Sequence, residues 1–396
     1  MRKISLQLLT DDEKIIDVCK RYWSFNPSSR KFNEPVSSIA HECGLSPKGL
    51  LDVVKSNATA YLQDVKCYSC LNKYQLKSRT DFISKLSSYR NYDSYQCPEC
   101  REKEIYEETQ RQLKKRKEQE DNKRSIIQRE YSNVEYYSLS VDKIDLKTAV
   151  YLISLLRCCS DEAYYQLYPI EESEFKLAPT RIFSSNIAYH LYKNKLISID
   201  SDSDLDCFIL EEDKVKFIDT LMLQYKVTVR ESEVKRIELI EGIESMFLDK
   251  QWPAHWKDQI KGLCQTIALH ECLEYLYHQL SKRGFKNIDA GEKTIQIIEN
   301  GLKYFSVSQL YQLIHRACTY AANAYMEKKI PIYAGRNYAI STLRTIIERA
   351  RDNEWEINPW KRDFACPRSV ISLTFYSSVL HLDDVGFTEL VDDITY

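Results

Sequence analysis

The sequence predicts a mainly α-helical chain made of several units. Three observations carry this. Glycine supplies only 9 of 396 residues, well below the usual ~7%. Apolar residues recur at helical spacing through most of the C-terminal half. Between them, residues 101–130 mix both charge signs with almost no apolar side chains, the pattern of a solvated spacer helix.

Length requires more than one core, because a single core seldom grows beyond ~250–300 residues. The hydrophobic share of 43%, the charged share of 29% and a formal net charge of -2 belong to an ordinary globular protein. They exclude a general basic coat, so any surface that meets nucleic acid must be local. Residues 1–20 are interrupted by Asp11, Asp12, Glu13, Lys14 and Asp17, which is not a secretory pattern. The most apolar run, Ala149–Leu156, falls far short of the ~20 residues that cross a bilayer. A cytoplasmic protein without membrane contact is expected. Its 13 cysteines then read as metal ligands and buried thiols rather than as disulfides.

Taken in order, residues 1–62 read as short helices. Thr10 or Asp11 caps the first, which carries Ile15, Ile16, Val18 and Cys19 on its apolar side. Asn26-Pro27-Ser28-Ser29 is a turn. In the stretch Pro35–Val54, Ala40 is small where two helices cross, and Gly44 supplies the positive φ that ends the first helix. Leu45 plugs the corner, Ser46 caps the second helix and Pro47 suits its first turn. Leu50, Val53 and Val54 form its buried side.

Residues 63–104 hold two cysteine pairs, Cys67-x2-Cys70 and Cys97-x2-Cys100. Each tight bend puts two thiolates on one side, and two bends complete a tetrahedral S4 site for a structural zinc ion. Residues 71–96 exceed the usual spacing, so they need a helix or loop of their own. Four thiolates leave no open position for metal catalysis.

Residues 105–130 form the spacer helix, with Glu107–Arg111 and Lys114–Glu118 at i,i+4. In residues 131–230, helices over Leu146–Cys158 and Thr180–Asn194 precede two apolar stretches, Leu196–Ile199 and Cys207–Leu210. The acidic segment Asp200–Asp206 lies between them, and the pattern reads as a β-hairpin with an acidic tip. The same acids match part of a calcium-loop spacing but place Leu205 where that loop needs Gly. Residues 231–396 form a helical domain, with segments such as His255–Leu280, Val307–Met326 and Ala339–Ala350.

On these residues the first hundred positions resemble bacterial proteins that join a helix-turn-helix to a zinc ribbon. The helix and hairpin of the middle unit resemble a winged helix. The resemblance implies a non-enzymatic, zinc-stabilised nucleic-acid-binding protein, most simply DNA-binding, acting as a regulator or in a DNA-acting assembly. Ser46, Lys48 and Lys55 are the expected contacts on the second helix, whose exposed side offers Lys48, Gly49, Asp52, Lys55 and Ser56 and no Arg, Asn or Gln as base readers. Lys73, Lys77, Arg79, Lys85 and Arg90, interspersed with Tyr74, Tyr89, Tyr92 and Tyr95, are expected on the insert between the cysteine pairs. The alternative is a helical adaptor that meets a protein partner through its tryptophan-bearing C-terminal domain.

Two further constellations are weaker. His270, Glu274 and His278 share a helix face, but buried hydrogen-bonded histidines are the commoner outcome. Gly291-Glu292-Lys293-Thr294 is a near miss for a phosphate loop.

Overall fold

The computed structural model describes residues 3–87, 95–133, 135–211, 214–230, 232–250, 252–285 and 289–395. The chain is mainly helical with small sheets, and it separates into two compact units, Met1–Gln119 and Glu120–Tyr396. Among the described residues, no helix is long and apolar enough to cross a membrane.

The first unit opens on a strand, β1 (Ile4–Leu8), where short helices were expected. Helix α1 (Glu13–Trp23) is capped by Asp12 rather than Thr10 or Asp11: its carboxylate accepts from the amides of Lys14 and Ile15. The Asn26 turn closes a small hairpin of β2 (Phe25–Asn26) and β3 (Lys31–Phe32), with Asn26 Oδ1 accepting from the Ser28 amide at 2.9 Å. Helices α2 (Val36–Glu42) and α3 (Pro47–Asn57) follow.

Between α2 and α3, Gly44 adopts φ +65° and the Leu45 amide returns to the Ala40 carbonyl at 2.8 Å. Ser46 then caps α3, its Oγ accepting from the Gly49 amide at 3.0 Å. Such a cap contributes about 1 kcal/mol. Leu50 and Val54 are buried, Val53 only half so, and Leu45 stays 38% exposed rather than plugging the corner. Helices α1, α2 and α3 pack on one another. The chain then runs into β4 (Ala58–Lys66) and β5 (Lys73–Leu76), giving an antiparallel sheet in the order β1-β4-β5. Leu62, Leu76 and Phe82 join Leu50 and Trp23 in the core of this unit.

Helix α4 (Arg79–Ser87) supplies the structured insert that the cysteine spacing demanded. Helix α5 (Pro98–Tyr131) is about 50 Å long at ~1.5 Å per residue. Every residue from Arg101 to Asn122 is exposed, as the charge pattern predicts. Lys114 meets Glu118 at 4.0 Å, whereas Glu107 pairs with Lys103 instead of Arg111. The division between the units falls within this helix.

The second unit holds α6 (Leu146–Cys159), β6 (Gln166–Leu167), α7 (Arg181–Lys193), β7 (Ile197–Ile199), β8 (Phe208–Glu211), β9 (Lys214–Ile218) and β10 (Tyr225–Val227). Then come α8 (Glu233–Leu248), α9 (Lys257–Lys282), α10 (Glu292–Leu302), α11 (Val307–Met326) and α12 (Gly335–Asp352). Short α13 (Val370–Ser372) runs into a π-helical turn at Leu373–Val379, and α14 (Val385–Thr388) lies near the end. One continuous core reaches from Ile127 to Ile394, so the packing shows no break at residue 230.

The hairpin expected across Asp200–Asp206 does not form. β7 pairs with β10, and β8 pairs with β9. The reason is that Asp200 turns inward. Its carboxylate accepts from Lys226 Nζ at 2.8 Å and from Gln166 Nε2 at 3.0 Å. Ser203 fastens the segment to Gln224. Burial opposes ionisation of Asp200, yet Lys226, the Asp202 amide and Gln166 outweigh it and lower its pKa. A carboxylate so engaged is not a free calcium ligand, which sets aside the calcium-loop alternative.

Candidate metal centre and its flanking cleft

The first cysteine pair sits where the β4–β5 hairpin reverses. The Cys67 amide donates to the Asn72 carbonyl at 2.8 Å, and the Leu71 amide to the Cys67 carbonyl at 2.9 Å. Leu71 takes φ +62°, a conformation that costs a non-glycine residue about 1–2 kcal/mol. The tight reversal it completes turns both sulfurs to one side.

The second pair is not a bend between strands. Cys97 immediately precedes Pro98, the first residue of α5, so this pair occupies the opening turn of a helix. The Cys100 amide donates to Cys97 Sγ at 3.5 Å, and the helix N-terminus favours thiolates there. The Tyr68 amide donates to the Tyr95 carbonyl at 3.0 Å, and Tyr68 Oη to Glu104 at 3.2 Å. These bonds tie hairpin to helix.

The four sulfurs of Cys67, Cys70, Cys97 and Cys100 lie within 4.8 Å of one another, the one such group found among the described residues. Cys70 and Cys97 Sγ are 3.6 Å apart. A metal–sulfur bond of ~2.3 Å in a tetrahedron sets an edge of roughly 3.8 Å, while a disulfide needs ~2.05 Å. The spacing fits ligands around a shared cation. Burial opposes ionisation of Cys67, but the Cys97, Cys70 and Ser69 amides outweigh it and bring its pKa to about 6. The Cys97 and Cys70 sulfurs push Cys100 up to about 12. Four thiolates packed this closely ionise together only if a cation balances them.

Four thiolates around a dication would leave a net negative charge. Lys66 adjoins Cys67 in sequence and stands opposite Lys73 in the register of β4 and β5. Two exposed lysines facing each other repel in isolation, and a metal-loaded, net negative cysteine cluster beside them would offset that repulsion. Lys66 was not singled out by sequence, because the strand that aligns it with Lys73 was not expected.

The outer face of the sheet carries a second feature. Ser5, Tyr61 and Gln75 are registered across the three strands, while Leu6, Ala60 and Leu76 make the inward row. With Gln7, Asn72 and Tyr95 they line a cleft of about 620 Å³ that reaches Cys97. Amides beside aromatic rings are groups that contact unpaired bases. Alternation over Ala58–Leu62 is the sequence signal for β4.

The predicted contacts scatter in role. Lys48, Lys55, Lys73 and Lys77 are exposed, and Ser46 Oγ serves as the α3 cap. Lys85 Nζ stands 5.3 Å from the Tyr74 ring centroid. Arg90, with Tyr89 and Tyr92, lies outside the described residues. Arg79 is engaged within the fold. Its Nε donates to the Tyr22 carbonyl at 2.6 Å and its Nη1 to the Glu34 carbonyl at 2.7 Å. The guanidinium also stands 4.3 Å from the Tyr22 ring centroid and 4.4 Å from that of Phe32. Burial lowers its pKa. Arg79 closes the end of α1 by donating to backbone oxygens.

In the second unit, the His270, Glu274 and His278 face does not gather a metal. His270 Nδ1 is 2.7 Å from Thr180 Oγ1 and its ring stacks on Phe183, with burial lowering its pKa to about 4. Glu274 holds Lys176, and His278 Nε2 stands 4.0 Å from Asp363. Beside them, buried Glu271 pairs with Arg362 at 3.2 Å, and Arg362 also reaches Asp384 at 2.8 Å. This network ties α9 to the C-terminal segment. Compared with known proteins, the chain matches no family model, no curated protein and no solved structure.

Proposed function

We propose that the chain is a zinc-stabilised, non-enzymatic nucleic-acid-binding protein, with DNA as its first partner. The carrying observation is the tetrad of sulfurs fastened between a β-hairpin and a helix, directly behind α2 and α3. Zinc suits an all-thiolate tetrahedron with no open position. We read α2, the Gly44 turn and α3 as a helix-turn-helix, and β4–β5 as the wing that follows it. Lys48 and Lys55 on α3 are then phosphate contacts, and the Tyr61 row offers a stacking surface. The resemblance to bacterial helix-turn-helix and zinc-ribbon proteins agrees with this reading.

The test is metal analysis of the purified chain followed by DNA binding across a salt series. One zinc per chain is expected, with affinity falling steeply as salt rises. Lys48→Gln with Lys55→Gln should weaken binding and flatten the salt slope by about two. Cys97→Ala should lose the metal and the order of the β4–β5 hairpin. A metal-loaded chain that ignores DNA and RNA at low salt defeats the proposal.

A second reading, a helical adaptor, draws on the corner between α11 and α12. There Met326 is 77% exposed and Tyr333 82% exposed, with Ile332 beside them. Retention of a stoichiometric protein partner, without nucleic acid, favours it.

A further inference from the structure

We infer that the outer face of the β1-β4-β5 sheet holds single-stranded nucleic acid, with one unpaired base on the Tyr61 ring and neighbouring phosphates on Lys66 and Lys73. Such a role presupposes the nucleic-acid reading of the chain and adds a second contact surface to α3. With Leu6, Ala60 and Leu76 turned inward, the alternate positions of the three strands face out. Tyr61 lies in the middle strand, opposite Ser5 in β1 and Gln75 in β5. Its Oη comes within 3.4 Å of Gln7 Oε1, and Gln7 stands opposite Thr59, two residues along β4. The half-buried side chain therefore leans diagonally across β1. That lays the ring along the sheet, where a base can stack on its outer face.

The lining of the adjoining cleft selects a base over a bare anion. Lys73 and Glu99 balance in charge, and the amides of Gln7, Asn72 and Gln75 supply uncharged donors and acceptors. No hydrogen bond to a described residue engages the Asn72 or Gln75 amide. An amide carries one donor group and one acceptor, the combination that reads the edge of an unpaired base. The far wall is held in place, because Tyr95 stands edge-on to Tyr74 at 5.0 Å between ring centroids. The cations gather at the hairpin end of the same face. Lys66 and Lys73 are opposite each other in register, both exposed, and neither forms an ion pair with a described residue. Lys73 lies two residues, ~7 Å, along β5 from Gln75, which matches the reach from a base across its sugar to its phosphate. A duplex offers no such fit: its bases are closed inside the stack and reach a ring only when flipped out, at a cost of a few kcal/mol.

The experiment is fluorescence anisotropy of the full metal-loaded chain with a labelled single-stranded DNA octamer, an RNA octamer of the same sequence and a short DNA duplex, across a salt series. At least one octamer should bind. Tyr61→Ala should weaken it about tenfold or more, the loss of one base stack, whereas Tyr61→Phe keeps the ring and should bind like the parent chain. Gln75→Ala, at an exposed position that carries the test if Tyr61→Ala melts early, should weaken the octamer about threefold or more. Lys66→Gln with Lys73→Gln should flatten the single-strand salt slope by about 1.4. A Lys48→Gln/Lys55→Gln chain should lose duplex affinity and hold the octamer normally, which separates this face from α3. Duplex binding without octamer binding overturns the inference and leaves the α3 reading standing. Octamer binding that is indifferent to both Tyr61→Ala and Gln75→Ala, or that falls as far in Tyr61→Phe as in Tyr61→Ala, overturns it as well. A chain that binds neither probe overturns both readings together.

Discussion

Replacing Arg79 by Ala separates two roles that the sequence alone does not distinguish. In the structure its guanidinium donates to the carbonyls of Tyr22 and Glu34 and lies between the rings of Tyr22 and Phe32. A hydrogen bond from a charged group contributes about 1.5–3 kcal/mol, and a partly desolvated cation–π contact about 0.5–2 kcal/mol. These terms do not add, because one rigid group makes them all and its own burial costs part of the gain. A loss of about 3–4 kcal/mol is the resulting order of magnitude, including carbonyls left without donors at the end of α1. For a unit of this size, each kcal/mol lowers the melting temperature by roughly 4–8 °C, so a drop of ten degrees or more is expected. The assay is thermal unfolding of the metal-loaded chain, with hydrogen exchange assigning the loss to α1 and α2. Arg79→Lys should not restore stability, since an ammonium cannot bridge two carbonyls in a fixed fork. If Arg79→Ala melts like the parent protein and instead binds DNA more weakly, the structural role is wrong and the residue faces phosphate after all.

Two further perturbations probe the second unit. Burial raises the pKa of Glu274 to about 7, with Lys176 opposing the shift. A carboxyl raised in the folded state stabilises most while it is protonated, below its unfolded value near 4.5, and that contribution is lost as pH rises through 7. Urea unfolding at pH 5 and pH 8 should therefore show the parent losing about 2–3 kcal/mol relative to Glu274→Gln as pH increases; parallel pH profiles would contradict this. A Cβ on Gly386 would come within 2.0 Å of the Tyr376 ring, which is 1% exposed. Gly386→Ala should cost about 1–3 kcal/mol or more through overpacking, and unchanged stability would mean that the Tyr376 ring yields.

Local chemistry was legible in the residue order wherever a feature closes within a few positions. The Gly44 turn, the Ser46 cap and the two cysteine bends each depend on neighbours three or four residues apart, and so does the charged surface of α5. The pairing of the two bends into one tetrad was legible too, because matched thiolate pairs have few other uses. Strand partnership was not. β7 and β8 are apolar stretches flanking an acidic turn, yet each pairs elsewhere because Asp200 binds Lys226 in β10. Alternation places side chains on faces but does not name the neighbouring strand.

What the residue order determined by itself is a mainly helical chain, a four-cysteine cluster behind two short helices, and a long solvated helix. Only the tertiary structure decided that a sheet flanks that cluster, that one core joins residues 127–394, and that Arg79 donates to the carbonyls at the end of α1. It alone placed Tyr61, Gln75, Lys66 and Lys73 on one face of that sheet. The physical reason is range. Caps, turns and helix periods are set by bonds between near neighbours, whereas a cation's role depends on which distant carbonyl, carboxylate or ring folding brings within reach of its donors.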